Sequence, residues 1–594
     1  MKIVEKLNAN RHLFFIAFIY LVIAIVFTFP LILKFTTNIP GVDEDSPTHV
    51  WYLWWFKFSL FDLKQTPFYT NYIFYPQIIN RTFDIHTFTN AIFSLPFQFL
   101  FGLIAASNII FYIGFVLSGL GTFFLSFYLT KSKLASFFAG LVFAFFPYIF
   151  AQSGDYHTNL ITTWFTPFYL LFLLKTLREG SYKNALLAGL FFGLQGLNDL
   201  TYTSFTIFLT FLVIFYYFIF WRRQFSLNTF KRLLTAGITF LVIFSPLALA
   251  AFKTIKEGFH PGVSLSVQNV YGADIYYFLF PWAGNPILKG FSKAPGVISS
   301  TEGTLYIGYT VLFLVLIYVF FLLKKNIEEK KEAGLFYFLA FSFFILSLGP
   351  RLHFFESGAT FGQFELNPTK FLLLPFIFYH KLPFIGGIQE PIRMHPFTML
   401  PLAILTAFSL KEILFRTKKK VGLIIFVITV SLLLVEYTPS LPTTNLAVPK
   451  IYQEIARESG DFVILDLPVG WNTGNFIFGY GPIGSLQFYQ SVHQKKIFRG
   501  TVARLPAENV FYYREIPLLH YLADPGTELV LPEDLDKKAV QETFKDLKVK
   551  YILIHKKYYE SGRRSLGRSI ELIKDILGAK KFYEEENIIG YQLY

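Results

Sequence analysis

The sequence predicts a polytopic α-helical membrane protein, of about eleven transmembrane helices, with a C-terminal extracytoplasmic α/β domain. Three observations predict this fold class. Of the 594 residues, 54% are hydrophobic and only 15% are charged, whereas an ordinary soluble domain has about 25% charged residues. Apolar runs long enough to cross a bilayer recur from residue 13 to residue 435. Beyond that point charges become frequent, and short strand-like and helix-like segments alternate.

The composition also excludes several classes of protein. The 76 Phe and 35 Tyr residues are too many for a water-soluble surface to hide, which argues against a soluble enzyme, a disordered chain or a fibrous repeat. The formal net charge of +14 does not indicate a nucleic-acid partner, because a membrane protein carries its basic excess mainly in cytoplasmic loops. The chain has no Cys, which excludes disulfides, Cys-ligated zinc, iron–sulfur clusters and a Cys nucleophile.

Eleven apolar segments are predicted to cross the membrane. The first follows Lys2, Lys6 and Arg11, is longer than the hydrophobic region of a signal peptide, and is not followed by a small-residue cleavage site. We therefore expect a retained helix with a cytoplasmic N-terminus. The predicted spans are residues 13–33, 109–129, 134–150, 160–174, 185–197, 205–220, 233–251, 306–323, 335–348, 397–410 and 421–435.

The apolar stretch 88–105 decides the predicted topology. Counted as a crossing, it would put Lys131 and Lys133 outside and invert every later loop. Pro96 and the polar break after the stretch favour an interfacial or re-entrant helix instead. Each predicted inner segment then carries at least two Lys or Arg residues, which is typical of cytoplasmic loops. We expect a multi-pass protein of the plasma membrane with its C-terminal domain outside.

Two domains are predicted. Residues 1–438 form the membrane domain, with large outer loops at 35–108, 254–304 and 349–395, and residues 439–594 form the extracytoplasmic domain. The second part is about 150 residues long, which is enough for a core of its own. Its helix-like segments are 448–458, 532–546 and 563–577, and its strand-like segments are 461–469, 550–555 and 588–594.

The first outer loop contains three consecutive acids, Asp43, Glu44 and Asp45. Three adjacent carboxylates repel one another unless a cation or a base offsets them. Asp43 and Asp45 are candidate ligands for a divalent metal through their oxygens. Any of the three acids is also suited to general-base catalysis. A solvated acidic loop would have the same residues, so both interpretations stay open.

Later in the same loop come an aromatic cluster, Trp51 to Trp55, and the pair Asp84 and His86. Aromatic clusters at this depth usually form an interfacial belt, and a wall for a lipid tail or a sugar is the alternative. Asp84 and His86 are suited to ligate a metal or bind a hydroxyl, although they would equally suit the cap of the apolar helix that follows.

Short outer turns supply further ionisable residues. Asp155 and His157 lie between two predicted spans, and Asp199 occupies the next outer turn. Ionisable groups at membrane level are candidates for function, although at the interface they cost far less than at the bilayer centre. Arg393 ends the third large loop, and its planar fork is suited to a lipid phosphate. A snorkelling anchor is the alternative, and Glu390 is a possible intramolecular partner.

Several motifs are missing from the sequence. There is no P-loop, dinucleotide fingerprint, H-E-x-x-H or G-x-S-x-G pattern, and the predicted inner loops are short and basic. We therefore expect no nucleotide, flavin or haem, and no cytoplasmic nucleotide-sugar site.

The order of these features resembles the GT-C superfamily, the integral-membrane glycosyltransferases that take sugars from polyprenyl-phosphate carriers. It is most similar to a bacterial and archaeal branch with an acidic first loop. The shared motifs are W-x-x-W-W at Trp51 to Trp55, Tyr75-Pro76, a G-x-x-H turn at Gly154 to His157, and the segments 448–469 and 496–504. The W-W-D-Y-G motif of oligosaccharyltransferases is absent, and His395 stands where an aromatic residue is usual.

The resemblance implies that Asp43 or Asp45 is the catalytic base or a metal ligand, without saying which of the three acids matches the family acid. It implies a polyprenyl-phosphate-linked sugar as donor, membrane lipid around the helices, and an acceptor that is a glycan, a lipid or a protein. A divalent cation, Mg or Mn, is the cofactor that such a site would use. The residues expected to bind substrate or carrier phosphate are Arg393, His395, Asp84, His86, Asp155 and His157.

The implied reaction is a single inverting displacement. An acid of the first loop deprotonates an acceptor hydroxyl, which attacks the anomeric carbon, and a metal or Arg393 stabilises the departing phosphate. Two other functions remain as alternatives: a transporter or flippase of lipid-linked sugars, and a non-catalytic envelope protein. A transporter usually has ionisable residues at mid-membrane and repeated halves, and the sequence has few of the former and no repeat.

Overall fold

The computed structural model describes residues 2–292, 301–353, 372–383, 385–474, 476–481, 483–523, 535–559 and 565–594. Parts of the predicted loops 254–304 and 349–395, and the starts of the predicted helices 532–546 and 563–577, lie outside the described residues. The chain divides into two compact units. The first unit comprises residues 1–41, 87–246 and 261–443, and the second comprises residues 42–86, 247–260 and 444–594.

The first unit is helical because its sequence is a series of apolar runs, in which the helix satisfies every backbone group without water. Short 3-10 turns lie at Leu31–Lys34, Arg222–Gln224, Ile275–Phe278, Lys289–Phe291 and Pro391–Met394. The last turns of the helix Leu227–Lys256 belong to the second unit. The helices are Lys2–Phe27, Phe88–Phe101, Leu103–Thr130, Lys133–Phe145, Pro147–Gly154, Thr158–Ile161, Phe165–Glu179, Tyr182–Asn198, Leu200–Phe220, Leu227–Lys256, Leu265–Val270, Tyr309–Leu322, Ile327–Ser347, Phe376–His380, His395–Arg416 and Lys419–Tyr437.

Each of the eleven predicted spans falls largely within these helices, so their helical nature is confirmed. In the described part of the chain, seven helical segments are long and apolar enough to cross a membrane: Leu103–Thr130, Lys133–Gly154, Thr158–Glu179, Leu200–Phe220, Leu227–Lys256, Pro391–Arg416 and Lys419–Tyr437. Shorter apolar helices are Arg11–Phe27, Phe88–Phe101 and Tyr309–Leu322. The number of eleven crossings and their orientation stay predictions.

Local sequence explains where these helices end. Gly102, at a φ of +83°, separates Phe88–Phe101 from Leu103–Thr130. The first of these two helices has 14 residues, about 21 Å at 1.5 Å per residue, which is shorter than the ~30 Å hydrocarbon core of a bilayer. Its length is compatible with the predicted interfacial or re-entrant position. Asp199 caps another long apolar helix, Leu200–Phe220, by accepting a bond from the Tyr202 backbone N–H.

Glycines allow close packing around the first helix. Tyr20 is buried, stacks on Phe137 with ring centroids 5.2 Å apart, and donates from its hydroxyl to the Phe137 carbonyl at 3.0 Å. A Cβ at Gly119 would lie 2.7 Å from the Tyr20 ring, and one at Gly140 would lie 2.7 Å from the Gly119 carbonyl oxygen. Small residues at such contacts let membrane helices approach closely.

The second unit contains a five-stranded mixed sheet, whose strands we number β1 Val463–Leu467, β2 Lys496–Ile497, β3 Val549–His555, β4 Lys580–Glu584 and β5 Ile588–Gln592. The sheet order is β4-β5-β3-β1-β2. Strand β1 is parallel to both neighbours, with Asp466 opposite Leu553 and Ile464 opposite Ile497. Strand β5 is antiparallel to β3 and β4. All five residues of β1 are buried, as a central strand covered on both faces requires.

The remaining elements of the second unit are short. A three-stranded sheet is formed by Gly470–Asn472, Ile477–Gly479 and Gly500–Thr501, and a hairpin by Tyr69–Thr70 and Ile79–Asn80. Two further short strands are Asn38–Pro40, in the first unit, and Thr443–Asn445, at the boundary of the units in the sequence. A 3-10 turn lies at Lys556–Tyr558, and π-helical turns at Phe58–Asp62 and Leu572–Ile576. The helices are Ser46–Lys57, Lys450–Ala456, Gly484–Phe488, Gln490–His493, Glu508–Glu515, Leu519–Ala523, Lys537–Asp546 and Leu566–Glu571.

The predicted α/β character of the C-terminal part is confirmed, and the three predicted strands correspond to β1, β3 and β5. The prediction did not include β2 and β4, because β2 has two residues and β4 reads as a charged run, KKFYE. The unit also differs in extent from the predicted domain 439–594. It includes most of the predicted first outer loop, residues 42–86, and residues 247–260.

Contacts of the first loop explain the wider unit. Asn80 donates from its side chain to Thr254 Oγ1 at 2.9 Å, Lys253 lies 5.3 Å from the centroid of the Tyr69 ring, and Trp51 Nε1 donates to Gln490 Oε1 at 2.9 Å. These bonds join segments that are far apart in sequence, which a reading of one segment at a time does not reveal.

We expect G119A to lower the unfolding temperature in detergent, because its methyl group would overlap the Tyr20 ring, a clash that typically costs about 1–3 kcal/mol. The matched control is G114A in the same helix, where the new Cβ would meet nothing within 4 Å. This control should gain up to about 1 kcal/mol from the better helix propensity of Ala. Equal unfolding temperatures for the two variants would contradict the packing.

Candidate active site

Asp43 is held by four donors of the second unit. Its Oδ1 accepts from the Ser485 backbone N–H at 3.1 Å, and its Oδ2 accepts from Ser485 Oγ at 3.0 Å and from the Tyr558 hydroxyl at 3.1 Å. Lys557 Nζ lies 3.4 Å from the same Oδ2. Burial, and next the charge of Asp43, raises the pKa of Tyr558, which keeps that hydroxyl a donor. The carboxylate is therefore fixed in one orientation.

Asp43 is still accessible, since its side chain is 29% exposed. Among the described residues Oδ1 has one donor while Oδ2 has three, so Oδ1 keeps the lone pair that a general base needs. Glu44 is exposed, and its carbonyl oxygen would lie 2.4 Å from a Cβ at position 484, where the chain has Gly. Asp45 is half-buried at the N-terminus of the helix Ser46–Lys57.

The residues of the triplet do not fit the predicted metal site. Among the described residues, no group of three His, Asp or Glu side chains is placed to hold a metal ion. The ammonium group of Lys557 also puts positive charge beside Asp43, where a cation would have to bind. The contacts of Asp43 are thus those of an oriented carboxylate and not of a metal ligand.

Trp51, Trp54 and Trp55 belong to the core of the second unit and not to an interfacial belt, because each is less than a tenth exposed. The Trp51 and Trp55 rings stack at 5.7 Å. Trp55 donates to the Pro67 carbonyl at 3.0 Å. The W-x-x-W-W spacing therefore places these rings in a packed interior, as helical periodicity allows.

Asp84 forms a buried ion pair. Arg81 donates from Nε and Nη2 to Asp84 Oδ2 at 2.8 and 2.5 Å, and Oδ1 accepts from Tyr52 at 3.2 Å and from the Ala503 backbone N–H at 2.9 Å. The guanidinium carbon also lies 5.1 Å from the Tyr52 ring centroid. Both oxygens of Asp84 are engaged by protein donors, so the geometry supports a role in holding the loop and not the predicted contact with substrate.

His86 is buried next to this pair. Its Nε2 lies 2.9 Å from the Thr82 carbonyl oxygen, and its ring meets Phe68 edge-on. Burial, assisted by the charge of Arg81, lowers the pKa of His86 to about 4. The ring is therefore neutral at neutral pH and packs in the core of the loop. This geometry supports a packing role and not the substrate binding that the sequence predicts.

Arg393 lies in the first unit, in the turn before the helix His395–Arg416. Its Nε and Nη2 donate to Glu302 Oε1 at 3.0 and 2.6 Å, and its Nη1 lies 3.2 Å from Glu390 Oε2. The sequence predicted Glu390 as a possible partner, but Glu302 was missed. It comes from a predicted outer loop, 91 residues away in the sequence, and no local pattern links the two residues.

Gln152 extends this network to His157. Gln152 Nε2 donates to Glu302 Oε2 at 3.3 Å, and its Oε1 lies 2.6 Å from His157 Nδ1. Burial raises the pKa of Glu302, but the charge of Arg393 and its hydrogen bonds outweigh this, and the net shift is downwards. Arg393 and His157, two of the predicted substrate-binding residues, thus belong to one polar network.

Asp155 and Asp199 differ in their surroundings. Asp155 is half-buried at the end of the helix Pro147–Gly154, and within the described residues its carboxylate has no hydrogen-bond partner. Asp199 caps the helix Leu200–Phe220 and accepts from Asn159 Nδ2 at 2.7 Å. Of these two acids, Asp155 is the one whose carboxylate keeps capacity for a hydrogen bond to a ligand.

His395 is completely buried in an aromatic cage. Its ring meets Phe146, Tyr148 and Phe278 edge-on at 5.5 to 5.9 Å. In the described part of the structure, neither ring nitrogen has a hydrogen-bond partner. His395 takes an aromatic packing position, in keeping with the aromatic residue that the resemblance expects there, and no contact yet links it to a phosphate site.

We expect D84N to destabilise the protein strongly, because it leaves the Arg81 guanidinium buried without its counter-charge. Losing one partner of a buried pair typically costs about 3–5 kcal/mol. The matched control is D62N, which removes an exposed carboxylate of the same loop and should be nearly silent. Thermal unfolding in detergent measures both, and similar unfolding temperatures would contradict a structural role for Asp84.

A pH titration of stability tests His86. Its folded pKa of about 4 lies below the ordinary 6.5, so the neutral ring contributes stability that is complete above pH 6.5. This contribution, at most about 3 kcal/mol, is lost as the pH falls towards 4. We expect H86Q to flatten the fall in unfolding temperature over that window. H260Q, which changes an exposed His, should leave the slope as it is.

The comparisons with known proteins concern the fold of the chain and not its candidate site. Residues 87–370 match the family model described as a domain of unknown function, DUF6311. No curated protein matches the sequence. The oligosaccharyltransferase AglB from Archaeoglobus fulgidus, solved with an inhibitory peptide and a dolichol-phosphate, is similar in structure with a TM-score of 0.50 and 12% identity, over 99% of this chain and 74% of AglB.

The arabinofuranosyltransferase AftD from Mycobacteria is similar with a TM-score of 0.52 and 14% identity. The match covers 98% of this chain and only 40% of AftD, so this chain spans less than half the length of that enzyme. At such low identity the likeness concerns the fold alone. The chain has the fold of the GT-C glycosyltransferases, as the order of its motifs predicted.

Proposed function

We propose that this protein is a membrane glycosyltransferase that moves a sugar from a polyprenyl-phosphate carrier to an acceptor on the outer face of the plasma membrane. The observation that carries the proposal is the fold shared over almost the whole chain with AglB and AftD, both glycosyltransferases by name. AglB was solved with dolichol-phosphate, a polyprenyl-type carrier lipid. The absence of nucleotide-binding motifs from the sequence agrees with a donor that is activated by its lipid phosphate.

Asp43 is the proposed general base. Its Oδ1 would accept the proton of an acceptor hydroxyl as the acceptor oxygen forms its bond to the anomeric carbon. The bond from that carbon to the carrier phosphate breaks, its electron pair leaves with the phosphate oxygen, and free polyprenyl phosphate is the second product. Attack opposite the leaving group inverts the anomeric carbon. Ser485 and Tyr558 support this role because they fix the carboxylate before the acceptor arrives.

Arg393, in the first unit, stays the residue that we propose for binding a carrier phosphate, as the sequence predicts. Its guanidinium already binds Glu302 and Glu390, so a phosphate would have to displace one carboxylate or use a donor edge that both leave open. An incoming phosphate would exchange one anion for another, and the charge of the network would change little if a Glu swung away. No step of the proposed reaction uses a divalent cation, because the described residues do not fit one.

The direct test is a transfer assay on the full chain in lipid, with a panel of polyprenyl-phosphate sugars and a crude envelope acceptor, run with and without Mg or Mn. Release of free polyprenyl phosphate is the readout. We expect D43N to lower the rate by at least ~100-fold, since general-base catalysis typically contributes 10²–10⁴-fold. E44Q and D45N are the matched variants of the neighbouring acids. D62N is the control for an exposed carboxylate in the same loop.

The outcomes separate the alternatives. If D45N lost activity and D43N did not, Asp45 would be the general base in place of Asp43. The proposal that the protein is an enzyme would stand. No release by folded wild-type protein across the panel would overturn the enzyme proposal. Movement of labelled lipid-linked sugar across the bilayer without cleavage would then support a flippase, and its absence a non-catalytic envelope protein.

A further inference from the structure

The sheet of the second unit has a topological switch point at β1. From β1 the chain goes to β2 on one side and then to β3 on the other, and all three strands are parallel. In open α/β sheets ligands bind in the crevice at the carboxyl ends of the strands beside such a reversal. The sheet therefore marks one place in this unit where a binding site is expected.

Three polar residues meet this expectation, one from each parallel strand. Asp466 is the fourth residue of β1, Arg499 follows the end of β2 by two residues, and His555 is the last residue of β3. All three are at most 3% exposed. Together with Tyr452 and His493 we call them the strand-end cluster.

Tyr452 connects the members of the cluster. Its hydroxyl donates to Asp466 Oδ1 and lies 2.9 Å from His555 Nε2. Its ring stacks on His493, with centroids 5.4 Å apart, and meets the Tyr489 ring at a tilt of 37°, with centroids 4.8 Å apart. The polar groups are thus held in fixed relative positions before any ligand binds.

The cluster is incompletely satisfied. Asp466 Oδ2 is buried and has no hydrogen-bond partner among the described residues. His493 accepts from the Lys495 backbone N–H at Nδ1, so a neutral ring carries its proton on Nε2, and that N–H has no acceptor in the described part of the chain. Arg499 donates a long hydrogen bond, 3.4 Å from Nη1 to the Pro468 carbonyl oxygen. Unpaired buried groups of this kind are costly, so their coincidence in one place requires an explanation.

The charges around the cluster point to a neutral ligand. Asp466 and Asp43 carry one negative charge each, and Arg499 and Lys557 carry one positive charge each. Arg499 interacts electrostatically with both carboxylates, and Lys557 lies beside Asp43 at the more exposed end. An anionic or cationic ligand would upset this balance, whereas a neutral one would not.

We infer that the strand-end cluster is a binding site for a neutral saccharide, and that this saccharide is the acceptor of the reaction. A hydroxyl both donates and accepts, so vicinal hydroxyls can donate to Asp466 Oδ2 and accept from Arg499 and His493 Nε2. The rings of Tyr489 and Tyr558 lie beside His555, with centroids 6.4 and 6.2 Å from its ring, and aromatic side chains suit the C–H faces of a sugar ring. The site itself rests on geometry alone, while its role as acceptor site rests on the proposed function.

The test uses the full chain in nanodiscs and saturation-transfer NMR with methyl glycosides of glucose, galactose, mannose and arabinofuranose. Methyl glucuronide and inorganic phosphate are the anionic probes. We expect at least one neutral glycoside to bind, and D466N and R499Q each to weaken binding by about tenfold or more. D62N, an exposed carboxylate of the same unit, is the matched control and should bind as the wild type does.

The variants must first be shown to fold, by circular dichroism and size-exclusion chromatography. If D466N does not fold, H493F removes the Nε2 donor and keeps the aromatic stack on Tyr452, and it should also weaken binding by about tenfold. Three results would overturn the inference: no binding of any neutral glycoside to folded wild type, binding of the anionic probes only, or equal binding by the folded variants.

Binding and transfer can fail separately. The NMR assay needs no carrier lipid, so saccharide binding without any release of polyprenyl phosphate would sink the proposed enzyme and leave the binding site. Release of polyprenyl phosphate by a protein that binds no neutral saccharide would support the proposed enzyme and overturn the proposed saccharide site. The acceptor would then be a lipid or a peptide.

Discussion

The attachment of Asp43 to Ser485 and Tyr558 is the interaction on which the organisation of the second unit depends. It joins the beginning of the first outer loop to segments more than 400 residues later, and Gly484 allows the backbone at Glu44 to come close. The four donors around Asp43 both stabilise its charge and fix its direction. The C-terminal part of the chain thus supplies the groups that hold this acid.

The same rule, that charge removed from water must be paired, separates structural from functional candidates. Asp84 meets it completely through Arg81, Tyr52 and a backbone N–H, and so belongs to the loop's framework. Arg393 meets it through two carboxylates, which makes its network rigid and sets a condition on any phosphate that binds there. Residue type alone had ranked these side chains as equal candidates for substrate binding.

Local patterns were enough to predict the helices, because an apolar run in lipid has few other ways to satisfy its backbone. They also predicted strands β1, β3 and β5 of the C-terminal sheet, which are continuous apolar segments. Strand β2 could not be predicted, because it has only two residues. Glu302, the partner of Arg393, was missed because nothing near it in the sequence marks it. Ser485 and Tyr558, the partners of Asp43, were missed for the same reason. The extension of the second unit over residues 42–86 was missed for the same reason, since long-range contacts define it.

What singles out the strand-end cluster is unmet hydrogen-bonding capacity at a place that the topology favours. A buried carboxylate oxygen and an imidazole N–H that have no partner among the described residues would favour unfolding if they met nothing. A core that served stability alone would gain by replacing them with apolar side chains, as replacements of buried ion pairs often show. Asp43 interacts electrostatically with Arg499 of this cluster, so a saccharide bound there would lie within the influence of the proposed base. The binding chemistry and the proton-transfer chemistry of the proposal therefore converge within a single compact unit.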